Sequence, residues 1–105
     1  MLILIVDDHE LIRQGLKQAL QGAGHNIVGE AASLAEARAQ LLFTHPELVL
    51  VDVNLPDGSG LELITPLLRC IVLTLGDDPT SLRQAHQRGA AAYVLKGEPD
   101  RKSVV

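Results

Sequence analysis

Leu48-Val49-Leu50-Val51-Asp52 places four apolar residues directly before a carboxylate. An unbroken apolar run of this length, rich in β-branched side chains, reads as a strand buried on both faces. In open α/β sheets, ligands sit beyond the carboxyl ends of the strands. Asp52 is therefore expected to be an acid held on a rigid strand at such an edge. The next stretch, Asn54-Leu55-Pro56-Asp57-Gly58-Ser59-Gly60, is dense in turn residues and is expected to be loop.

Upstream of this run, Leu2 to Val6 reads as a first buried strand, ended by Asp7 and Asp8. From His9 to about Gln21, apolar residues recur with helical period at Ile12, Leu16, Ala19, Leu20 and Ala23, and Gly22 and Gly24 stop that helix. Asn26 to Ala31 is a second strand. Ser33-Leu34-Ala35-Glu36 has capping-box spacing and predicts a second helix through Leu34, Ala37, Leu41 and Leu42. Downstream, Gly60 opens a third helix with Leu61, Leu63 and Ile64 facing inward, which Pro66 cuts short. A helix from Gly60 to Thr65 rises only about 9 Å. Pro66 to Arg69, extended, adds roughly 13 Å, enough for the crossover while leaving one sheet face thinly covered. Cys70 to Leu75 is the fourth strand. Asp77 or Asp78 caps a fourth helix, with Pro79 in its first turn and Gly89 past its end. Ala91 to Leu95 is the fifth strand. Strands alternating with helices predict an α/β fold with parallel strands and right-handed crossovers.

The chain has 105 residues, bounding it to one domain, and 47% apolar residues, enough for a single core. Its formal charge of −4 repels phosphate backbones, and with no Trp, one Tyr and one Phe it has little to stack on bases. Direct nucleic-acid binding is not expected. A single cysteine, Cys70, lies in an apolar strand, which excludes an intrachain disulfide and fits a cytoplasmic location. The apolar opening Met1 to Val6 is too short to span a bilayer. His9, His25, His45 and His86 lack the spacing of metal ligands, although His9 borders the acidic residues. Asp57 is expected to be a solvated turn residue. After Pro99 a fifth helix should cover the sheet, but Asp100-Arg101-Lys102-Ser103-Val104-Val105 supplies little more than one turn. That hexapeptide resembles the translated start of a common sequencing adapter. Residues 1–99 are accordingly read as the domain, and 100–105 as an aberrant or truncated tail in place of the fifth helix.

A parallel sheet gathers the carboxyl ends of its strands on one edge. Asp7 and Asp8 end the first strand, Asp52 ends the third, Thr74 lies near the end of the fourth, and Lys96 follows the fifth. Crowded carboxylates repel one another unless a cation intervenes. Mg²⁺, which takes one or two carboxylates together with waters and a phosphate, would relieve that repulsion. Lys96 supplies further positive charge and Thr74 a neutral donor. An exposed acid among these groups points to phosphoryl transfer onto Asp52.

The ordered set Asp7-Asp8, Asp52 with Pro56 and Gly60, Thr74, and Tyr93 three residues before Lys96 resembles the response-regulator receiver domain. The opening Val6-Asp7-Asp8-His9-Glu10-Leu11-Ile12-Arg13-Gln14-Gly15-Leu16 resembles its NarL/LuxR branch. The resemblance runs from Leu2 to about Pro99. It implies a flavodoxin-like, doubly wound, five-stranded parallel sheet of order 2-1-3-4-5. It also implies a phosphoacceptor Asp52 that takes its phosphoryl group from a sensor histidine kinase. Asp8, Asp52 and the main-chain carbonyl of Asn54 would bind Mg²⁺ directly, and Asp7 mainly through water. Thr74 and Lys96 would hold the phosphoryl oxygens, and Tyr93 would be the aromatic switch. The face of the fourth helix and fifth strand would then change shape and control a DNA-binding output domain, missing from this chain, in transcription regulation. Family members often dimerise through the fourth helix, fifth strand and fifth helix, so a homodimer is expected only of a complete chain.

Three features depart from the family pattern. Leu75 stands where a small residue is usual, and it would narrow access to Asp52. The third helix lacks about a turn and a half, and most of the fifth is absent. Two other function classes remain open at this stage. An aspartyl-phosphate phosphohydrolase would commonly place a second Asp two residues after its nucleophile, where this chain has Asn54. A receiver-like interaction domain would keep the fold and never be phosphorylated.

Overall fold

The five segments read as strands all form strands of one sheet. The computed structural model describes residues 1–74 and 79–95, and only the backbone of Thr74, Pro79, Ser81 and Leu95. Strands β1 (Leu2–Val6), β2 (Asn26–Ala31), β3 (Leu48–Asp52), β4 (Cys70–Thr74) and β5 (Ala92–Leu95) pair in the order β2-β1-β3-β4-β5, every pair parallel. This is the flavodoxin-like order 2-1-3-4-5 that the resemblance implies. Among the described residues, three α-helices accompany the sheet: α1 (Glu10–Gly22), α2 (Leu34–Thr44) and α3 (Pro79–Arg88). Among the described residues, no helix is long and apolar enough to cross a membrane.

The apolar run that ends in Asp52 is buried at all five positions. Because side chains alternate across a strand, it feeds two cores. Val49 and Val51, with Leu4, Val6, Cys70 and Val72, face Leu34, Ala37, Leu61 and Leu63. Leu48 and Leu50, with Ile3, Ile5 and Leu73, face the half-buried Leu16 and Leu20 of α1. The helical period predicted Ala19 and Ala23 inside as well, but both are exposed. In α2, Leu34 and Ala37 are buried as expected, whereas Leu42 is 75% exposed, because a helix this short turns only a narrow stripe to the sheet.

The helix ends follow their residues closely. Ser33 caps α2 by accepting from the Glu36 amide at 3.1 Å, and the Glu36 carboxylate reaches back to the Ala32 amide at 2.8 Å. That return bond lands one residue before the position a capping box prescribes. Helix α1 ends at Gly24, whose φ of +95° suits glycine. There the amides of Gly24 and His25 donate back to the carbonyls of Gln21 and Leu20. Gly89, at φ +98°, ends α3 by the same pattern, with its amide on His86 and that of Ala90 on Ala85.

The crossover from β3 to β4 departs most from expectation. In place of a helix to Thr65 there is a 3₁₀ turn over Gly60–Leu63, and Ile64 is already extended. Pro66 disfavours helical backbone at Thr65 and brings no amide. Thr65 instead bridges to Leu68 and accepts the Leu67 amide at 3.2 Å. Leu61, Leu63 and Ile64 are still buried, as expected. The stretch read as pure loop holds a minimal antiparallel ladder, Asn54–Leu55 against Gly58–Ser59. Thin cover shows at Leu67, which is 98% exposed. The fourth predicted helix is thus α3. Its expected caps Asp77 and Asp78, and Leu75, Lys96 and the tail 100–105, lie outside the described residues.

Candidate functional site

Register fixes the site. Val6 of β1 pairs with Val51 of β3, so the next residues, Asp7 and Asp52, emerge side by side at the carboxyl edge of the sheet. Asp52, expected to be an exposed acid, is instead buried at 2% exposure beside Asp7 at 0%, because the strand ends pack together, while Asp8 turns outward. On the other flank Asp52 pairs with Leu73, and Thr74 pairs with Leu95. The backbone therefore carries Thr74 to the same edge, one residue beyond the level of Asp52.

Each buried acid is held by main chain. The Asp52 carboxylate accepts the Asn54 amide at 3.2 Å, and the Asp7 carboxylate accepts the His9 amide at 2.8 Å. The Asp7 carbonyl accepts from Arg13 of α1 at 2.6 Å, and Asp7's own amide donates to Ala31 of β2 at 3.0 Å. Gly60 donates its amide to the Val53 carbonyl at 2.8 Å, which folds the loop back under Asp52.

The His9 imidazole lies among the acids. Its Nδ1 is 2.9 Å from Asp7, 3.1 Å from Asp8 and 3.9 Å from Asp52. One donor atom from each of Asp7, Asp8, His9 and Asp52 falls within 4.8 Å of the others. Two buried carboxylates with a third at the rim form a site whose desolvation and mutual repulsion a small cation offsets. Such an oxygen-rich set fits a hard divalent ion. The pattern of the sequence gave no metal role to His9, because its chain neighbours lack ligand spacing. The missing signal was the parallel register that sets strand ends next to one another.

Two further residues support the site indirectly. Glu30 of β2 accepts from Arg13 at 3.2 Å and from Lys17 at 2.6 Å. The Lys17 hydrogen bond, aided by Arg13, holds the Glu30 carboxyl below its ordinary range despite partial burial. Asp57 is an exposed turn residue, as expected, and its carboxylate also accepts the amides of Leu34 and Ala35 at 2.7 and 3.0 Å. Those two bonds, Leu34 first, hold its carboxyl below the usual range. It thereby ties the loop after Asp52 to the start of α2. A cavity of about 640 Å³, lined in part by Met1, Pro46, Pro66 and Gly89, lies at the opposite edge of the sheet, away from these acids.

The sequence profile of the response regulator receiver domain matches residues 3–104. The chain belongs to the response-regulator receiver family. Its relatives place this receiver in the NarL/LuxR branch of two-component regulators. It is 40% identical over 101 residues to the DNA-binding transcriptional activator DevR/DosR of Mycobacterium tuberculosis, covering 90% of this chain and 46% of that protein. It is 33% identical over 106 residues to the nitrate/nitrite response regulator protein NarL of Escherichia coli, covering 93% of this chain and 49% of that one. The solved signal receiver domain of NarL from Mycobacterium tuberculosis superposes with a TM-score of 0.84 at 31% identity, over 92% of this chain and 84% of that one. The chain thus spans about half the length of the curated relatives it matches. These relatives are response and transcription regulators rather than named enzymes.

Of the residues expected to act, the receiver brings Asp7, Asp8 and Asp52 together and sets the Thr74 backbone beside them. Tyr93 lies on β5, 39% exposed, with its hydroxyl donating to the Leu82 carbonyl of α3 at 2.8 Å. Lys96 follows Leu95 outside the described residues.

Proposed function

We propose that this receiver is the phosphoacceptor of a two-component system, taking a phosphoryl group on Asp52 from a sensor histidine kinase. The observation that carries the reading is the placing of Asp52, on the central strand with two more carboxylates at its side. One carboxylate oxygen of Asp52 attacks the phosphorus of a phosphohistidine. The new O–P bond forms as the P–N bond breaks, and the kinase imidazole leaves with the electron pair. The Asn54 amide, already on the Asp52 carboxylate, orients it for attack. Asp8, Asp52 and the Asn54 carbonyl would hold Mg²⁺, with Asp7 acting mainly through water. When bound, that ion neutralises charge on the transferring phosphoryl oxygens. Thr74 donates its hydroxyl, and Lys96 its ammonium, to the phosphoryl oxygens.

The acyl phosphate carries about −1.5 to −2 charge at the sheet edge, where the free carboxylate carried one, and sets it farther out on the phosphoryl oxygens. Thr74 and Lys96 respond by moving toward it, and both flank α3. Tyr93, whose hydroxyl donates to the Leu82 carbonyl, would serve as the switch on the face of α3 and β5. The shift is a change of population between two states, limited by the contacts that differ between them. In the whole protein this face would act on a DNA-binding output domain, and would support a homodimer, in the cytoplasm. Residues 1–99 are the receiver in this reading.

The receiver accepts phosphate once and does not turn over esters. Asn54, where aspartyl-phosphate hydrolases commonly hold a second acid, supports this. Intact mass after acetyl phosphate and Mg²⁺ tests the reading. A gain of one phosphoryl group, absent in Asp52→Asn, is expected. Gain in both proteins or in neither removes Asp52 as acceptor, and steady hydrolysis of a generic phosphate ester would favour the hydrolase. A fold kept for interaction alone would show no gain at all.

A further inference from the structure

We propose that His9 is a nitrogen ligand of the ion held by the acidic pocket, and that it tilts the pocket's preference from Mg²⁺ toward Mn²⁺ and Co²⁺. The inference rests on the metal-binding role given to Asp7, Asp8 and Asp52 above, and adds a residue and a selectivity to it.

The position of His9 is unusual for its place in the chain. It is the N-cap of α1, where Ser, Thr, Asp or Asn would ordinarily accept a helix amide. The His9 side chain makes no such cap bond. Its ring turns instead to the pocket, where Nδ1 lies 2.9 Å from the Asp7 oxygen that also accepts the His9 amide at 2.8 Å.

The spacing fits a coordination shell. Neighbouring ligands at about 2.1 Å from an octahedral ion lie about 3.0 Å apart, and opposite ligands about 4.2 Å apart. Nδ1 of His9 is 3.1 Å from Asp8, as neighbouring ligands are, and 3.9 Å from Asp52, between the two distances, while Asp7, at 2.9 Å, acts through water as before. Asp8, His9 and Asp52 can therefore share one ion with little rearrangement. Imidazole nitrogen adds little for Mg²⁺, which prefers oxygen and retains water, but it strengthens binding of first-row transition ions. With the ring 53% exposed, its other edge can remain hydrated. The same distances would also suit an imidazole that merely donates to the acids. That arrangement makes the opposite prediction, because a ring standing in the ion's place competes with every metal.

The test uses the full chain with Mn²⁺ and Mg²⁺ titrated separately at pH 8, and electron spin-echo modulation on the Mn²⁺ form. In the wild type, ¹⁴N coupling to Mn²⁺ is expected. In His9→Gln that coupling should vanish, Mn²⁺ should bind at least tenfold more weakly, and Mg²⁺ should change less than twofold. Absence of ¹⁴N coupling in the wild type overturns the inference, as does an equal change for both ions or tighter binding in the variant. Asp7→Asn and Asp52→Asn separate the two levels of the argument. If they abolish Mg²⁺ binding while His9→Gln has no selective effect, only the nitrogen ligand is refuted. If they leave Mg²⁺ binding intact, the pocket reading itself fails and the inference falls with it.

Discussion

A β-carbon on Gly60 would overlap the main-chain carbonyl of Asp52 and press to 2.7 Å on the Val51 side chain. The loop leaving Asp52 can return under it only because position 60 carries no side chain. Gly60→Ala must move backbone, since the nearest atoms are not flexible side-chain ends. A cost of about 1–3 kcal/mol is expected from overpacking of this kind, with Asp52 displaced from Asp7. Urea unfolding measures the first effect and acetyl-phosphate labelling the second. A variant of native stability that labels at the native rate would contradict the close approach.

Asp57 bonds the first amides of α2 from a loop more than twenty residues away. Its carboxyl is held below the ordinary value of 3.8, so the folded state favours the charged form. The resulting stability is fully present above that value and is lost as pH falls through the lower folded one. Asp57→Asn keeps an acceptor and loses the charge, so the gap in melting temperature between it and wild type should close as pH drops below 3.8. Asp57→Ala should lower the melting temperature by a few degrees at pH 7. A gap that does not vary with pH would remove the charge from the account.

Much of this was legible in the chain because β3 announces itself. A run apolar at four successive positions reads as a doubly buried strand or a helix core, and its shortness favours the strand. Strand ends then follow from the acids and turn residues beside them, so Asp7, Asp8 and Asp52 were found by position alone. What escaped was whatever depends on neighbours distant in sequence. Asp57 is the exposed turn residue expected, but its bonds to Leu34 and Ala35 were not legible because those partners precede it by a whole strand and helix. The closeness of His9 to the acids escaped because it depends on two strand ends that register brings together, not on spacing within one helix or loop. The third helix failed for a local reason, because Pro66 limits Thr65 more severely than a truncated helical period suggests.

Cys70 begins β4 with no exposed surface, and burial pushes its thiol up to about 11. At pH 8 a thiol of that value is only about one-thousandth thiolate, and it is sterically shielded as well. Disulfide-exchange reagents should modify native protein at least 100-fold more slowly than protein in denaturant. The native rate should follow global unfolding, so that destabilising variants such as Gly60→Ala react faster. Rapid native labelling, followed by mass, would mean that β4 opens independently of the rest of the sheet.

Arg13 joins three elements, from α1 to the Asp7 carbonyl after β1 and to Glu30 on β2. Its side chain is 16% exposed and that of Glu30 27%, so both charges are partly withdrawn from water. Removing one partner of such a pair leaves the other poorly solvated. Arg13→Met keeps most of the apolar stem and should cost about 1–3 kcal/mol, because it forfeits a charged donor to a carbonyl as well as the ion pair. Glu30→Gln should cost less, about 0.5–1 kcal/mol, since both cations can turn to solvent. The double variant should be less harmful than the sum, by about 0.5–1 kcal/mol, if the two residues act on one another. Glu30 is held below its ordinary 4.5, so its share of that stability is complete above pH 4.5 and fades below it. Strict additivity of the two substitutions at pH 7 would show that Arg13 supports Asp7 without help from β2.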